Sequence, residues 1–575
     1  MIFKALACDF DGTLASEDRI GPEALEALGH AREAGLRLIL VTGRTFFELT
    51  RVCERLDLFD AVVAENGAVL YYPAAAMIRD QGPPPTKRLL AELDRRGISY
   101  QVGRVIIATR RAEEAGVRGA LRLAGVDRDL VYNRAALMLL PPSVSKGTGI
   151  RQALRFLSIS HHDMLAFGDA ENDLDLFQAG GWTACPANAV AELKERADWT
   201  FPGEDGVGVA AAIMGPVLGD RLPVARSPRH RLTLGWVVET SEPVTISARG
   251  INVLIHGDPL SGKSWMAGAL VERLVGSRYA TCAIDPEGDY RVLGRMAGVT
   301  WAEIDSDASM ADSLSLFERD PSVSVVVDLS ALPHTRKLTV IEHGLRVIRD
   351  LRRRLGRPHW VLLDEAHYSL HPDGVPDEAA GIEDRGFCLV SYRPSWLRPS
   401  VVKSLDVFLL ARATAEEELA FLRSCLPGGA ASRVLASVSK LPPGEFLVVQ
   451  PEGAGAALTF IPAPRETTHV RHLRKYADVE VPFSERFLFR RPDGAVVATA
   501  QSLREFRHAV GAVDDAVLAH HAGRGDFSRW VREVFSDLEL ARQLRKSEAR
   551  WRRGELPDLR RAIEHPVAYR YGPEP

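Results

Sequence analysis

Short apolar runs ending in Gly, Asp or Asn recur along most of this chain and alternate with segments of helical period. No other feature constrains the fold as much, because apolar runs separated by helices bury both faces only as strands of a parallel sheet. "IFKALACDF", "LRLILVTGR", "DAVVAENGAVL" and "DMLAFGD" read as such strands, with "GPEALEALGHAREAG" and "KGTGIRQALRFL" as helices between them. A doubly wound sheet of this kind gathers its ligands at the carboxyl ends of its strands. The series is interrupted over about 71–140, from "YYPAAAMIRDQGPPPTKR" onward, by a segment with strand- and helix-like stretches of its own, which reads as an inserted cap. "GPVLGDRLPVARSPRHR" has no period and reads as a linker over 216–231. A second α/β series covers 232–464, through "INVLIHG", "YATCAIDPEG", "SVSVVVDLS", "HWVLLDEAH", "GFCLVSYRP" and "VFLLARA". Residues 465–575 read as a small mixed domain that opens with a hairpin around Asp493-Gly494 and ends in an Arg-rich tail.

At 575 residues the chain is too long for one core. The expectation is therefore three parts: a capped α/β domain at 1–215, a second α/β domain, and the small C-terminal domain. A formal net charge of -4 gives no whole-chain argument for nucleic acid or a membrane surface. The six cysteines form no CxxC pair, which excludes a disulfide framework or a zinc site and fits a reducing compartment. The N-terminus runs straight into a strand and no apolar run approaches the length of a membrane span, so a cytoplasmic protein is expected.

"CDFDGTL" places Asp9 and Asp11 just past a strand, where alternate residues point the same way. Two carboxylates so close repel unless a cation sits between them, and oxygen-only ligands favour Mg2+. The pair suits a nucleophilic carboxylate with a neighbouring acid/base. With "VTGR" (41–44), "SKGTGI" (145–150) and "GDAENDLDLF" (168–177) following in order, the chain resembles the haloacid-dehalogenase superfamily of phosphatases. The resemblance implies a Rossmann-like core in which Asp9 is the nucleophile and Asp11 the general acid/base. Thr42 would bond a phosphoryl oxygen, and Lys146 would neutralise charge on the nucleophile and phosphate. Asp9, the backbone carbonyl of Asp11, Asp169 and Asp173 would hold Mg2+, with Gly43, Arg44 and Asn172 on the substrate side. "AENGA" (64–68) and a cap between the second and third motifs resemble the Cof-like branch, with its α+β cap of C2 type. The length of the cap is closer to that of sugar-phosphate and phosphoglycolate phosphatases.

"GDPLSGKS" matches the phosphate-cradling pattern GxxxxGK[ST] between an apolar run and a helical segment. Its backbone N–H groups, from Gly257, Asp258, Leu260, Ser261 and Gly262, would surround phosphates, with Pro259 part of the same loop. Lys263 would reach the β- and γ-oxygens of ATP and Ser264 would hold a second Mg2+. "HWVLLDEAH" ends a strand in Asp364, suited to supporting that Mg2+, and Glu365, suited to polarising the attacking water. With "AIDPEGDY", "VSYRPSWL" and "LPPGEF", the span 230–460 resembles the HerA-like branch of the FtsK–HerA ATPases, a P-loop NTPase fold whose members form rings, hexamers among them. Tyr392 stands where that family commonly has a γ-phosphate-sensing Gln, and Arg393 and Arg412 are both candidates for the transition-state arginine. The basic stretch "RVIRDLRRRLGRP" would suit nucleic acid, but reads more simply as a solvated helix face.

The adjacent pairs His161-His162 and His520-His521 read as surface imidazoles, and Trp530 as an anchor of the C-terminal core. Together these readings give an Mg2+-dependent phosphomonoesterase acting on a small phosphorylated metabolite, phosphosugars among the candidates, joined to an ATP-binding domain. A ring ATPase moving nucleic acid, and an ATP-gated oligomerisation module, are the alternatives.

Overall fold

A computed structural model of the protein describes residues 3–219, 221–223, 230–426, 428–450, 457–467, 481, 486–535 and 537–571. Part of the expected linker, at 220 and 224–229, and much of the join before the C-terminal domain lie outside these residues. The chain divides into two compact units. The first gathers the residues up to Arg231 with Ser315–Ser322 and Asp350–Pro358; the second gathers Leu232–Leu314, Val323–Arg349 and the residues from His359 on.

The first unit opens with β1 (Ala5–Asp9), β2 (Arg37–Val41), β3 (Ala61–Ala64), β4 (Val69–Tyr72) and β5 (Met77–Asp80). A cap follows with β6 (Tyr100–Val102), β7 (Ile107–Arg110), β8 (Asp129–Asn133) and β9 (Ala136–Leu140). β10 (Met164–Phe167), β11 (Trp182–Cys185) and β12 (Trp199–Thr200) complete the core sheet, whose order is β12-β11-β10-β1-β2-β3-β4-β5. Its strands are parallel from β12 to β3, and β1 stands between β10 and β2, with Cys8 opposite Phe167 and Asp9 opposite Val41. The carboxyl ends that carry three of the four phosphatase-like motifs are thus neighbours. The fourth sits on α1 (Lys146–Phe156), which starts with a capping box between Ser145 and Thr148 and buries Ile150, Ala153 and Leu154 against the sheet.

The cap begins later than the 71 expected. β4 and β5 form an antiparallel hairpin on the edge of the core sheet, with Val69, Leu70 and Tyr72 buried there. The apolar pattern of "VLYY" therefore belongs to the main core. The cap proper is the antiparallel sheet β8-β9-β7-β6, with helices Lys87–Arg95 and Glu114–Ala124 packed through Leu89, Leu93, Val117 and Ala120 onto Ile107, Leu137 and Leu139.

The second unit holds an eleven-stranded sheet. Its strands are β13 (Arg231–Val237), β14 (Pro243–Ser247), β15 (Val253–His256), β16 (Thr281–Asp285), β17 (Val299–Glu303), β18 (Ser324–Asp328), β19 (Trp360–Leu363), β20 (Phe387–Ser391), β21 (Val407–Leu410), β22 (Phe446–Val449) and β23 (Ala457–Pro462). The order is β14-β13-β23-β22-β21-β15-β20-β19-β16-β18-β17, parallel from β21 to β17. α2 (Lys263–Gly276) follows β15 directly.

The C-terminal residues belong to this second unit but have a core of their own. The hairpin β24 (Phe487–Arg490) and β25 (Val496–Ala500) turns at Asp493-Gly494, and five helices follow, from Leu503–Ala512 to Leu559–Tyr571. Trp530, 8% exposed, packs among Phe487, Phe506 and Phe535. His521 is not the surface imidazole expected: its Nδ1 lies 2.8 Å from Asp526 and its Nε2 accepts the Arg490 N–H at 2.8 Å, inside the aromatic core. Of the basic stretch, Arg346 and Arg354 make exposed ion pairs within reach of their own helix, whereas Arg357 is fully buried and donates to the Phe317 carbonyl. Among the described residues no helix is long and apolar enough to cross a membrane.

Candidate functional site

In the first unit the ends of β1 and β10 and the start of α1 bring four charged side chains together. Lys146 Nζ donates to Asp9 Oδ1 at 2.6 Å and to Asp173 Oδ1 at 2.7 Å, and all three residues are buried. Asp173 Oδ2 accepts the N–H groups of Asp169 and Ala170, each at 3.0 Å, which fixes the loop after β10. Asp169 accepts from Thr13 Oγ1 at 3.1 Å and from Arg134 Nη2 at 2.5 Å. Oxygens of Asp9, Asp169 and Asp173 lie within 4.8 Å of one another. Gly12 lets this happen: at φ +76°, a Cβ there would stand 2.5 Å from Asp169 Oδ2.

The electrostatics follow from burying three carboxylates around one lysine. Burial, then the charge of Asp173, raises the Asp9 carboxyl well above the ordinary range, against the pull of Lys146. Burial and Asp173 push Asp169 up to about 6, with Arg134 and Lys146 opposing. Burial alone would lower the Lys146 ammonium, but the charges of Asp173 and Asp9 outweigh it and raise it. A cluster short of positive charge, built from oxygen donors only, fits a hard divalent cation such as Mg2+.

The other expected residues sit beside this cluster. Arg44 Nε donates to Asp11 Oδ1 and Oδ2 at 3.0 and 2.9 Å and also reaches Asp18, and this bonding to Asp11 raises the guanidinium further. Thr42 is fully buried and its Oγ1 accepts the Arg44 N–H at 3.1 Å. Gly43 lies under an amide pair of which the sequence indicates Asn172 but not Asn66: Asn172 Nδ2 donates to Asn66 Oδ1 at 3.0 Å, and both amides stand within 3.5 Å of a Cβ built on Gly43. Asn66, Lys146, Asn172 and Tyr132 line a cavity of about 370 Å³ closed on one side by the cap. Glu65 was missed as well. Its fully buried carboxylate accepts the N–H groups of Phe46 (3.2 Å), Arg104 (2.8 Å), Val105 (2.9 Å) and Ile106 (3.1 Å), and so ties the cap's second strand turn to the core. The motif "AENGA" was visible in the sequence, but the roles of Glu65 and Asn66 were not.

In the second unit the loop Gly257–Gly262 connects β15 to α2, with Leu260 at φ +66° and Gly262 at φ +101°. Asp258 does not face the loop's interior. Its carboxylate accepts from Thr414 N (3.1 Å) and Thr414 Oγ1 (2.8 Å), and its N–H donates to the Arg412 carbonyl, so β21's trailing loop pins the turn. Lys263 Nζ donates to the Asp258 carbonyl at 2.8 Å, and Ser261 Oγ is buried without a partner among the described residues. Pro259 and Ser264 are half-buried, and Leu260 packs against the C-terminal core, which nothing in the sequence indicated. Asp364 and Glu365 follow β19, one strand removed from β15 across β20. Asp364 Oδ1 accepts the Glu365 N–H at 3.0 Å, and Glu365 takes a left-handed φ of +47°. The Lys263 ammonium lies 6.0 Å from the Tyr392 ring centre, while Arg393 stacks on Tyr392 and Trp396. Burial, then Lys263 and Arg393, hold His367 down to about 3, so the imidazole 3.6 Å from Glu365 is neutral.

The family model of haloacid dehalogenase-like hydrolases matches residues 6–102 and 130–213, all within the first unit. Phosphoglycolate phosphatase of Methanothermobacter thermautotrophicus is 34% identical over 221 residues, 36% of this chain and 97% of the relative. The enzyme of the same name from Archaeoglobus fulgidus is 29% identical over 216 residues, 36% of this chain and 95% of that one. Among solved structures, a haloacid dehalogenase-like hydrolase from Bacteroides thetaiotaomicron is 19% identical, covers 37% of this chain and 98% of its own, and gives a TM-score of 0.34.

Proposed function

The chain belongs, through its N-terminal part, to the haloacid dehalogenase-like hydrolases, and from that premise we propose that it hydrolyses small phosphomonoesters through an aspartyl-phosphate on Asp9. The observation that carries this reading is the Asp9–Lys146–Asp173 triad, a buried nucleophilic carboxylate held by a cation at 2.6 Å. Asp9 attacks phosphorus, and the leaving oxygen takes a proton from Asp11; Asp11 then takes a proton from the water that releases phosphate. Lys146 orients Asp9 and neutralises its charge, and Thr42 offers its hydroxyl to a phosphoryl oxygen. Arg44 positions Asp11 by the paired bonds to its carboxylate. Asp9, Asp169, Asp173 and the Asp11 carbonyl would hold Mg2+, which supplies charge neutralisation for the phosphoryl group when bound. Gly43, Asn66 and Asn172 form the wall on the substrate side. Relatives named for phosphoglycolate make that compound the first substrate to try, ahead of phosphosugars. Asp9→Asn should abolish turnover in a phosphatase assay with Mg2+; full activity in that variant would refute the reading.

A second reading concerns residues 232–464. The loop Gly257–Gly262, Lys263 at the start of α2, and Asp364-Glu365 at a nearby parallel strand end favour binding and hydrolysis of Mg2+-ATP, with Ser264 and Asp364 toward the cation and Glu365 toward water. Tyr392 and Arg393, beside Lys263, take the place of the sensing residues, and Arg412 serves the loop through its backbone. ATP would regulate the phosphatase or drive assembly into a ring-like homo-oligomer. Movement of nucleic acid is the competing use, and ATP hydrolysis stimulated by DNA and lost in Lys263→Ala would favour it. The reducing-compartment cysteines, six free thiols, go with a cytoplasmic setting.

A further inference from the structure

The turn between β8 and β9 places an arginine where the backbone favours glycine or asparagine. Arg134 has φ +50°, a conformation that costs an ordinary residue about 1 kcal/mol or more. Its side chain leaves the cap and reaches the core, where Nη2 contacts Asp169 Oδ2 at 2.5 Å. The pair is lopsided: the arginine side chain is 58% exposed, whereas the Asp169 side chain is fully buried. A mostly wet guanidinium tied down at one end is free to re-aim.

The charges say when it would. Asp9, Asp169 and Asp173 face a single buried lysine, and Arg134 supplies part of the missing positive charge. A divalent cation among the three carboxylates would make Arg134 surplus there and of like charge. Asp169, which Arg134 holds at 2.5 Å, presents an oxygen within 4.8 Å of Asp9, so the guanidinium is joined through one carboxylate to the neighbourhood of the attacking group. Two residues before Arg134, Tyr132 lines the same cavity as Lys146 and Asn172.

We propose that Arg134 is the residue by which the cap recognises an anionic tail on the substrate, and that it exchanges Asp169 for that tail once the acidic cluster is loaded. The substrates it selects are phosphomonoesters of two- or three-carbon hydroxy acids, whose carboxylate matches the planar fork of the guanidinium. This rests on the phosphatase reading of Asp9 and adds the specificity residue to it. Arg134 acts on selection; the reacting atoms belong to the core.

The test uses the full chain with Arg134→Ala, Arg134→Lys and Arg134→Gly, the last because glycine accepts the turn's φ without strain and keeps the hairpin. With phosphoglycolate and glycerol 1-phosphate as a charged and an uncharged tail, the ratio of their kcat/KM values should fall about 10- to 100-fold in the Ala and Gly variants, carried by KM, as expected for loss of a charge-assisted pair. Arg134→Lys should recover part of it. In metal-stripped protein, calorimetric titration with Mn2+ should show binding about two- to fivefold tighter in Arg134→Gly, since the half-exposed ion pair that competes for Asp169 is gone. Equal losses on both substrates, an unchanged ratio, or unchanged Mn2+ affinity would overturn the proposal. A parent chain that turns over neither ester would instead refute the phosphatase reading, and the Mn2+ titration would still decide whether Arg134 competes for Asp169.

Discussion

Replacing Lys146 by methionine, which keeps the length of the side chain and removes its charge, tests how the active cluster is held together. Lys146 is 2% exposed and bridges Asp9 and Asp173, so the substitution orphans two buried carboxylate oxygens at once. Removing one partner of a buried ion pair costs about 3–5 kcal/mol, and the two pairs share one cation, so the sum is expected near that range and not at twice it. The loss should depend on pH. The Asp9 carboxyl is already raised by burial and by Asp173, and removal of Lys146 raises it further. A raised folded-state carboxyl favours the fold below the unfolded value near 4 and loses that advantage as pH rises through the folded value. Parent and variant should therefore be similar near pH 4 and diverge toward pH 8. Mg2+ should narrow the gap, because a ligand at about 100 times its Kd stabilises whatever binds it by about 2.7 kcal/mol, and the more negative variant binds it more tightly. Hydrogen-exchange mass spectrometry of peptides spanning Ala5–Asp9, at both pH values with EDTA or Mg2+, reads this locally. Equal protection of parent and variant at pH 8 in EDTA would refute the electrostatic account of the cluster.

Because Asp169 is raised to about 6, divalent binding must displace a proton below that pH. Mg2+ affinity measured by calorimetry should rise by up to about tenfold per pH unit between about 4 and 6, with net proton release to the buffer over that range. Glu65→Ala leaves four backbone N–H groups without their acceptor and should destabilise the cap's attachment by about 3 kcal/mol, seen as lost exchange protection over 103–106. Glu65→Gln, which still accepts through one oxygen, should lose less. Lys263→Ala should remove ATP binding measured by equilibrium dialysis while Asp9-dependent phosphatase turnover persists, since Lys263 belongs to the second unit.

Residues at strand ends were the ones most legible in the sequence. Asp9, Lys146 and the pair Asp169 and Asp173 are distant along the chain, yet each follows an apolar run or opens a capped helix, and parallel order brings such positions together. The glycine-rich loop before Lys263 was legible for the same reason. What escaped was held by contacts of no period. Glu65 works by accepting from the backbone of the cap, which any sequence can offer, and Arg134 works from a two-residue turn whose only mark is an arginine between apolar runs. The start of the cap was misplaced because an edge hairpin of the core, "VLYYPAAAMIRD", has the same alternation as a cap strand. His521 misled because a histidine in sequence looks alike whether solvated or, as here, bonded to Asp526 and the Arg490 N–H within an aromatic core.

The central claim is that Asp9 carries the phosphoryl group. Rapid acid quench of the full chain during turnover of 32P-labelled phosphoglycolate, followed by peptide mapping, measures it directly. Label should appear on the peptide containing Asp9, within the steady-state burst, and be absent from Asp9→Asn. Turnover with no labelled peptide, or with label on another residue, would contradict the account.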